Sequence, residues 1–374
     1  MVRDGRLVKL LFRAIAKLLT PAPLRRPEEI QEAFRSVSTV GVLCAAGIGD
    51  AIMATPLFAA IKRCKPDARV LVIGTESTTQ VFQNHPGVDR ILSFSIRPLA
   101  FLSLLRLWVN LRQEKIDLFL AAQPANTIRH SLIAACSGAN LRLKHSYDYT
   151  AFPERDFSFV YSALLPDQME RHRVELNLDL LRFLGASIPP GSLSPHYHVQ
   201  GAAHRKIETL LRSWNSGYSS KQMIALHPGG LQENKKWPVE RFVEIGQALV
   251  NRGALVCLVG GQEEKAICDT LGSAIASSAV LNFAGQLSLN ETAALLKRCR
   301  LLLSNDTGIM HLATAVGTKV IAVFGPTDAR HIGPFTSNAK VLSRTRDIRS
   351  VGMEEVLQTI LEVWGEMPEI QEHA

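Results

Sequence analysis

Side chains that could bind a phosphate follow a short apolar strand late in the sequence. Asp306 and Thr307 come soon after the apolar residues 301–303, and Gly308 begins a helix that continues through His311. In a parallel sheet, the first turn of such a helix presents unpaired backbone N–H groups and a positive dipole end to a ligand. The stretch therefore predicts a phosphate site, with simple capping of the helix by Asp306 and Thr307 as the alternative.

A second carboxylate follows the first apolar strand of the chain. Residues 39–44 form this strand, Gly47 and Gly49 make a tight turn, and Asp50 lies at the start of a helix that runs on through Ile61. A carboxylate in this position is well placed for chemistry. Capping of the helix is again the alternative role.

Strands and helices alternate in two successive runs, and each run has a glycine-containing loop after its first strand. This pattern predicts an α/β fold with two Rossmann-like domains and a ligand between them. Prolines between residues 185 and 201 favour a domain boundary there, so we expect domains at 31–195 and 196–350. Residues 147–168 read as loops around an acceptor site, and a helix is expected from residue 169.

The N-terminal segment, residues 1–30, contains a basic amphipathic helix. One face carries Arg3, Arg6, Lys9, Arg13 and Lys17, and the other carries Leu7, Leu11, Ile15, Leu18 and Leu19. The apolar run is too short and too interrupted to span a bilayer, and no signal-peptide cleavage site follows it. The helix is expected either to lie on an anionic membrane surface or to pack on its own domain.

Composition narrows the possible partners. The 374-residue chain has a net charge of +8, a pI near 9.3 and only 6% aromatic residues. The positive charge favours phosphate ligands or an anionic membrane surface, whereas the lack of interleaved aromatic residues argues against nucleic acid. The six cysteines form no C-x-x-C pair, which suggests reduced thiols in a cytosolic protein, and no metal-binding spacing is found.

Five motifs, taken together and in order, resemble glycosyltransferase family 9, the ADP-heptose:lipopolysaccharide heptosyltransferases. They are GIGDAIMATPLFAAI, HPGG with KKWP, LVGGQEE, NFAGQLSL and NDTGIMHLATAVGTKVIAVFGPTD, and they span roughly residues 39–336. The resemblance implies a GT-B fold, in which two Rossmann-like domains face each other across a cleft. It also implies inverting transfer of heptose from ADP-heptose to the inner core of lipopolysaccharide, with no metal ion and no cofactor.

The same resemblance implies where the enzyme works and how its domains divide the task. The expected location is the cytoplasm, peripherally at the inner membrane. The N-terminal domain would hold the acceptor and the C-terminal domain the nucleotide sugar, while residues 351–374 would form a helix that packs back toward the first domain.

Individual roles follow only where this sequence matches the family motifs. Asp50 matches the catalytic aspartate, and Lys235 matches the basic residue of the K-x-W-P motif, with Lys236 as its neighbour and competitor. A solvated surface lysine is the alternative for Lys235, and an ordinary core histidine is the alternative for His311. The expected donor-binding residues are Gly229, Gly230, Gly261, Glu264, Asp306, Thr307, Gly308 and His311, and Gly47 and Gly49 lie on the acceptor side.

Three other interpretations are open at this point. A nicotinamide dehydrogenase could use Gly47, Gly49 and a ribose-binding Glu76, but Ile52 stands where the dinucleotide fingerprint requires Gly or Ala. A non-catalytic nucleotide-binding protein could keep the same loops. A family 9 enzyme could also use a nucleotide sugar other than ADP-heptose.

Overall fold

The computed structural model describes residue 14 and residues 16–17, 26–95, 101–146, 153–168, 170–214 and 223–365. Contacts divide the chain into two compact units, residues 1–195 and 196–374. Each unit contains one six-stranded sheet in which all paired strands are parallel. The predicted α/β class with two Rossmann-like units is therefore confirmed.

The first unit is a doubly wound sheet. Its strands are β1 Thr39–Cys44, β2 Arg69–Thr75, β3 Arg90–Phe94, β4 Leu118–Ala121, β5 Leu141–Ser146 and β6 Ala163–Pro166. Its helices are α1 Pro27–Arg35, α2 Ile48–Met53, α3 Thr55–Cys64, α4 Glu76–Thr79, α5 Phe101–Gln113, α6 Ile128–Ser137 and α7 Arg173–Phe183. The strand order β3-β2-β1-β4-β5-β6 reverses its direction between β1 and β4.

The second unit repeats this topology. Its strands are β7 Met223–His227, β8 Leu255–Leu258, β9 Val280–Asn282, β10 Leu301–Asn305, β11 Lys319–Val323 and β12 Ala339–Leu342. Its helices are α8 Gly201–Trp214, α9 Val239–Val250, α10 Lys265–Ile275, α11 Leu289–Arg298, α12 Gly308–Ala315, α13 Ala329–Ile332 and α14 Met353–Gly365. The order β12-β11-β10-β7-β8-β9 reverses between β7 and β10.

The apolar character of the central strands follows from their position. Strands of a parallel sheet are covered on both faces, so they read as continuous rather than alternating hydrophobic runs. β4, β7 and β10 are buried along their whole length, and each unit has its own hydrophobic core. The two cores explain why a chain of this length forms two domains.

The helix that carries Asp50 is shorter than the sequence pattern predicts. It ends after Met53, and a second helix starts at Thr55. Pro56 has no N–H to continue the hydrogen-bond ladder of α2. The Thr55 hydroxyl donates to the Ile52 carbonyl instead, at 2.8 Å.

The segment expected to be only loops contains the edge strand β6, which pairs with β5. β6 has four residues with alternating burial, so it leaves a weak apolar signal. The following helix begins at Arg173 rather than at residue 169, because the His172 ring accepts the Val174 N–H at 3.2 Å and so marks the helix start. Residues 147–152 lie outside the described part of the chain.

The described ends of the chain pack on their own units. Ala16 is fully buried in the first core, and Lys17 Nζ lies 5.9 Å from the centroid of the Phe159 ring. These contacts favour the packing interpretation for the end of the N-terminal helix, whose basic residues before position 14 lie outside the described residues. In α14, Val356, Ile360 and Val363 contribute to the second core. Within the described ranges, no helix is both long and apolar enough to cross a membrane.

Candidate active site

Both sheets bring the predicted site residues to the strand ends where the strand order reverses. Asp50 follows β1 in the first unit. In the second unit Gly229 follows β7 and Asp306 follows β10, and these two strands pair directly, with Ser304 beside His227. Doubly wound sheets bind ligands at this position.

Asn305 ties the two loops of the second unit together. Its side-chain amide donates to the carbonyls of Pro228 and Gly229, both at 2.9 Å, and its Oδ1 accepts the Trp237 N–H at 3.2 Å. The side chain is fully buried. Asn305 therefore fixes the HPGG loop and the KKWP loop relative to the end of β10, a role that the sequence pattern did not reveal.

Asp306 receives two hydrogen bonds on one carboxylate oxygen. Lys235 Nζ and Thr327 Oγ1 each lie 2.7 Å from Asp306 Oδ2. The Lys235 and Asp306 side chains are 19% and 6% exposed, so the prediction of a solvated surface lysine at 235 is wrong. Thr327 comes from the loop after β11 and was not among the predicted site residues.

Lys236 points to a different environment. Its ammonium pairs with Glu233, whose side chain is 87% exposed. The next residue, Trp237, is buried, and its indole N–H donates to the Val351 carbonyl at 2.9 Å. This anchor determines which of the two adjacent lysines reaches Asp306.

The first turn of α12 is not capped by a side chain. Thr307 is the N-cap residue, but its hydroxyl accepts no capping hydrogen bond, and the Asp306 carboxylate is engaged by Lys235 and Thr327. The interpretation of Asp306 and Thr307 as mere caps is therefore wrong. Gly308 is the first residue of α12, and the buried His311 is the fourth. This helix end has the geometry and polarity of an anion site.

Glu264 packs against the HPGG loop. Its Oε2 accepts the Gly261 N–H at 2.8 Å, and a Cβ atom built on Gly229 would lie 2.2 Å from Glu264 Cγ. Only glycine fits at position 229 while Glu264 is in this place. A Cβ atom on Gly230 would be 3.6 Å from Lys236 Cγ and 3.8 Å from Thr307 Cγ2, so Gly230 lies beside the start of α12.

His227 is the buried residue at the end of β7. Its Nδ1 hydrogen-bonds to the Val259 carbonyl at 2.8 Å. Burial lowers the pKa of His227, whereas that carbonyl and the charge of Glu264 act in the opposite direction. The ring is therefore neutral near pH 7 and contributes no positive charge to the anion site.

In the first unit, the Asp50 carboxylate is held on both oxygens. Asp50 is the third residue of α2, and its Oδ2 accepts the Gly47 N–H at 3.1 Å, so it does take the capping role at the helix start. Its Oδ1 lies 2.5 Å from Arg173 Nη1. A Cβ atom on Gly47 would lie 3.2 Å from Asp50 Oδ2, and Gly49 is the second residue of α2.

Arg173 is a site residue that the sequence analysis missed. It is the first residue of α7 and lies 123 residues from Asp50 in the chain. The two side chains are only 17% and 22% exposed. No local spacing rule connects positions this far apart, and the only available signal was a basic residue at a helix start in the first domain.

The turn after β1 does not suit a dinucleotide. Asp50 occupies the hydrogen-bonding position at Gly47 that a pyrophosphate would need, and it brings a negative charge there. Ile52 is fully buried, and Glu76 is exposed on α4. The nicotinamide interpretation is thus at odds with the local chemistry.

No group of three or more His, Cys, Asp or Glu side chains within the described ranges is arranged to hold a metal ion. All six cysteines are free thiols. Cys44, at the end of β1, is buried, and burial together with the charge of Asp50 raises its pKa well above the usual range. Cys44 is therefore a neutral packing residue beside the candidate base.

The described geometry can be compared with known protein families. A sequence model of glycosyltransferase family 9 (heptosyltransferase) matches residues 104–360. Lipooligosaccharide heptosyltransferase 2 of Haemophilus ducreyi is 21% identical over 305 residues, which is 79% of this chain and 85% of that protein. Lipopolysaccharide heptosyltransferase 3 of Escherichia coli K12 is 24% identical over 296 residues, with 78% and 83% covered.

Solved structures show the same fold. A family 9 glycosyltransferase from Veillonella parvula superimposes with a TM-score of 0.78 at 20% identity, over 88% of this chain and 98% of that one. An Escherichia coli heptosyltransferase solved with ADP gives a TM-score of 0.70 at 20% identity, over 87% and 99%. The predicted GT-B class is confirmed by these matches.

Proposed function

Because this chain belongs to glycosyltransferase family 9 and is therefore a glycosyltransferase, we propose that it transfers heptose from ADP-heptose to the inner core of lipopolysaccharide. The transfer inverts the anomeric carbon and needs no metal ion. The observation that carries this proposal is the Lys235–Asp306 ion pair beside the uncapped first turn of α12. The heptosyltransferases among the relatives, one of them solved with ADP, support the choice of donor and acceptor.

The second unit holds the donor. Backbone N–H groups at the start of α12 bind the diphosphate, with Gly308 allowing close approach of an oxygen. Gly229 and Gly230 have no hydroxyl to offer, so phosphate contacts from that loop come from backbone N–H groups. The Lys235 ammonium, kept in place by Asp306, offsets the negative charge that grows on the departing diphosphate.

Asp50 of the first unit acts as the general base. A hydroxyl oxygen of the acceptor attacks the anomeric carbon, and the bond between that carbon and the diphosphate oxygen breaks. The hydroxyl proton passes to the Asp50 carboxylate, and ADP leaves with the bonding electron pair. A single displacement of this kind inverts the configuration.

The enzyme works at the cytoplasmic face of the inner membrane, because its acceptor is anchored in a lipid. The basic residues Arg3, Arg6, Lys9 and Arg13 support this proposal, since each basic residue near an anionic surface contributes about 1 kcal/mol. The burial of Ala16 limits the membrane-binding part to residues before that position.

A panel of nucleotide sugars tests this function. The purified chain is incubated with ADP-heptose, other ADP-linked sugars and UDP-linked sugars, each with lipopolysaccharide truncated before the first heptose or after it. We expect transfer from ADP-heptose, unchanged by EDTA, and a product of inverted anomeric configuration by NMR. Transfer only from another nucleotide sugar would assign the chain a different donor, and loss of transfer with EDTA would contradict metal independence.

A further inference from the structure

The two oxygens of the Asp50 carboxylate are held by groups from different parts of the first unit. Oδ2 accepts the N–H of Gly47, from the loop that precedes α2. Oδ1 faces Arg173 Nη1, from the first turn of α7. The Gly47 contact is local and forms when α2 forms. The Arg173 contact is tertiary and depends on the packing of α3 against α7. Arg173 is thus a separate tertiary constraint on this side chain.

We propose that Arg173 is a positioning residue for Asp50: its guanidinium fixes the plane of the carboxylate and places a positive charge beside it. This inference rests on the proposed function, in which Asp50 is the base. A carboxylate oxygen has two lone-pair sites, so Oδ1 can accept from Arg173 on one and leave the other for the acceptor hydroxyl. Arg173 thereby sets the direction from which the acceptor hydroxyl can approach Oδ1.

The surroundings of Arg173 leave it directed at Asp50. The other charged side chains of α7 are engaged with one another, since Arg182 pairs with both Glu175 and Asp179 at 2.7 Å. Arg173 Nε is buried and has no hydrogen-bond partner within the described ranges.

Several charged and titratable groups lie on the elements around Asp50, among them the exposed Arg63 on α3 and His172 at the start of α7. Cys44 at the end of β1 is neutral for the reason given above. On α4, which packs against α2, Glu76 is exposed. On α3, Lys62 pairs with Asp89 at 2.8 Å. Arg173 is a cation in direct contact with the carboxylate.

An adjacent cation favours the ionised form of a carboxylate, so its removal allows protonation at a higher pH. Because a protonated Asp50 accepts no proton from the acceptor, the acid limb of the pH–rate profile reports this change. A residue that only stabilises the fold would lower the amount of active enzyme at every pH and leave the limb in place.

Three variants separate these roles: Arg173→Met, Arg173→Lys and Arg171→Met. Arg171 is a matched control, since it is two residues away and pairs with Asp179. The pH dependence of kcat is measured with ADP-heptose and whichever truncated lipopolysaccharide the donor panel identifies as the acceptor, and ADP affinity is measured by calorimetry. We expect Arg173→Met to move the acid limb up by about one pH unit or more and to lower the plateau kcat about tenfold, with ADP affinity unchanged.

The lysine variant keeps the charge but not the planar fork. We expect its acid limb to stay in place while its kcat falls, and this result stands even if Arg173→Met does not fold. The control Arg171→Met should have the same acid limb and the same kcat as the wild type. An unmoved acid limb in a folded Arg173→Met protein, or wild-type kcat in Arg173→Lys, would overturn the positioning role.

A double variant distinguishes this inference from the proposed function. If Arg173 acts through Asp50, adding Arg173→Met to Asp50→Asn should cause no further loss of kcat. A further tenfold loss would place the role of Arg173 elsewhere. Should Asp50→Asn alone retain wild-type turnover, the assignment of the base fails, whatever Arg173 does.

Discussion

Lys235 Nζ lies 2.7 Å from Asp306 Oδ2, although the two residues are 71 positions apart in the chain. The contact joins the KKWP loop after β7 to the loop after β10. It holds the half-buried Lys235 ammonium next to the start of α12, where the helix dipole is also positive. This arrangement is the strongest structural argument for a diphosphate leaving group in the second unit.

Lys235→Ala should therefore weaken ADP-heptose binding about tenfold and reduce turnover by about two to three orders of magnitude. Lys236→Ala is the matched control, since its partner Glu233 is largely exposed and such pairs contribute little. Calorimetry and steady-state transfer assays measure both effects. A greater loss in Lys236→Ala than in Lys235→Ala would reverse the assignment of the two lysines.

Gly229→Ala tests the contact with Glu264. The new Cβ would lie 2.2 Å from Glu264 Cγ, so the glutamate must move and its bond to the Gly261 N–H is lost. We expect ADP affinity to fall about tenfold, in line with the cost of overpacking. In Gly272→Ala, the control, the nearest atom is Leu258 Cδ1 at an ordinary 3.5 Å, and ADP affinity should not change. Unaltered ADP binding by Gly229→Ala would show that the loop has room to rearrange.

Parts of the candidate active site could be predicted from the sequence because they lie next to strand ends. Asp306, Gly308 and Gly229 each follow a strongly apolar strand, and the edge at which parallel strands end is a general property of such sheets. The K-x-W-P motif also predicted Lys235. The choice between Lys235 and Lys236 depends on the burial of Trp237, which the local sequence pattern does not specify.

Other features could not be predicted because they depend on tertiary packing. Arg173 hydrogen-bonds to Asp50, which lies 123 residues away in the chain, and Thr327 hydrogen-bonds to Asp306, which lies 21 residues away. The edge strands β6 and β12 have only four residues each. Some of these positions are exposed, so neither strand shows a clear apolar pattern in the sequence. Pro56 lies at the break between α2 and α3. Its presence alone did not reveal the break, because proline is also common in the first turn of a helix.

The lowered pKa of His130 should make the stability of the first unit depend on pH. Burial, with smaller contributions from the charges of Lys144 and Arg129, lowers the pKa of His130 to about 4. Between this value and the ordinary pKa near 6.5 the unfolded chain binds a proton that the folded chain does not. The free energy of unfolding should therefore decrease as the pH falls from about 6.5 to about 4, by about 3 kcal/mol at most.

His130→Asn removes this titration. Urea unfolding of the variant should depend less steeply on pH in that window, whereas the wild type loses stability throughout it. The comparison uses slopes against pH, so a uniform loss of stability from the changed packing does not affect it. Equal slopes in both proteins would mean that His130 is not the responsible group.

Membrane binding by the predicted N-terminal helix can be tested without disturbing the first core. Because Ala16 is fully buried, the truncation should remove residues 1–13 only. We expect the shortened protein to lose most of its binding to vesicles that contain anionic lipid, in a salt-dependent way, and to keep its ADP affinity. A full-length variant with Arg3, Arg6, Lys9 and Arg13 changed to Gln should behave likewise. Vesicle binding equal to that of the wild type would assign the helix to packing alone.

Transfer of labelled heptose from ADP-heptose to truncated lipopolysaccharide, by the wild type and by Asp50→Asn, tests the account most directly. Asparagine keeps the size of Asp50 and can still accept the Gly47 N–H, but it is no base. We predict transfer by the wild type, and a loss of about two to four orders of magnitude in kcat for the variant with nearly unchanged ADP-heptose affinity. Transfer by Asp50→Asn at the wild-type rate, or no transfer by the wild type, would contradict it.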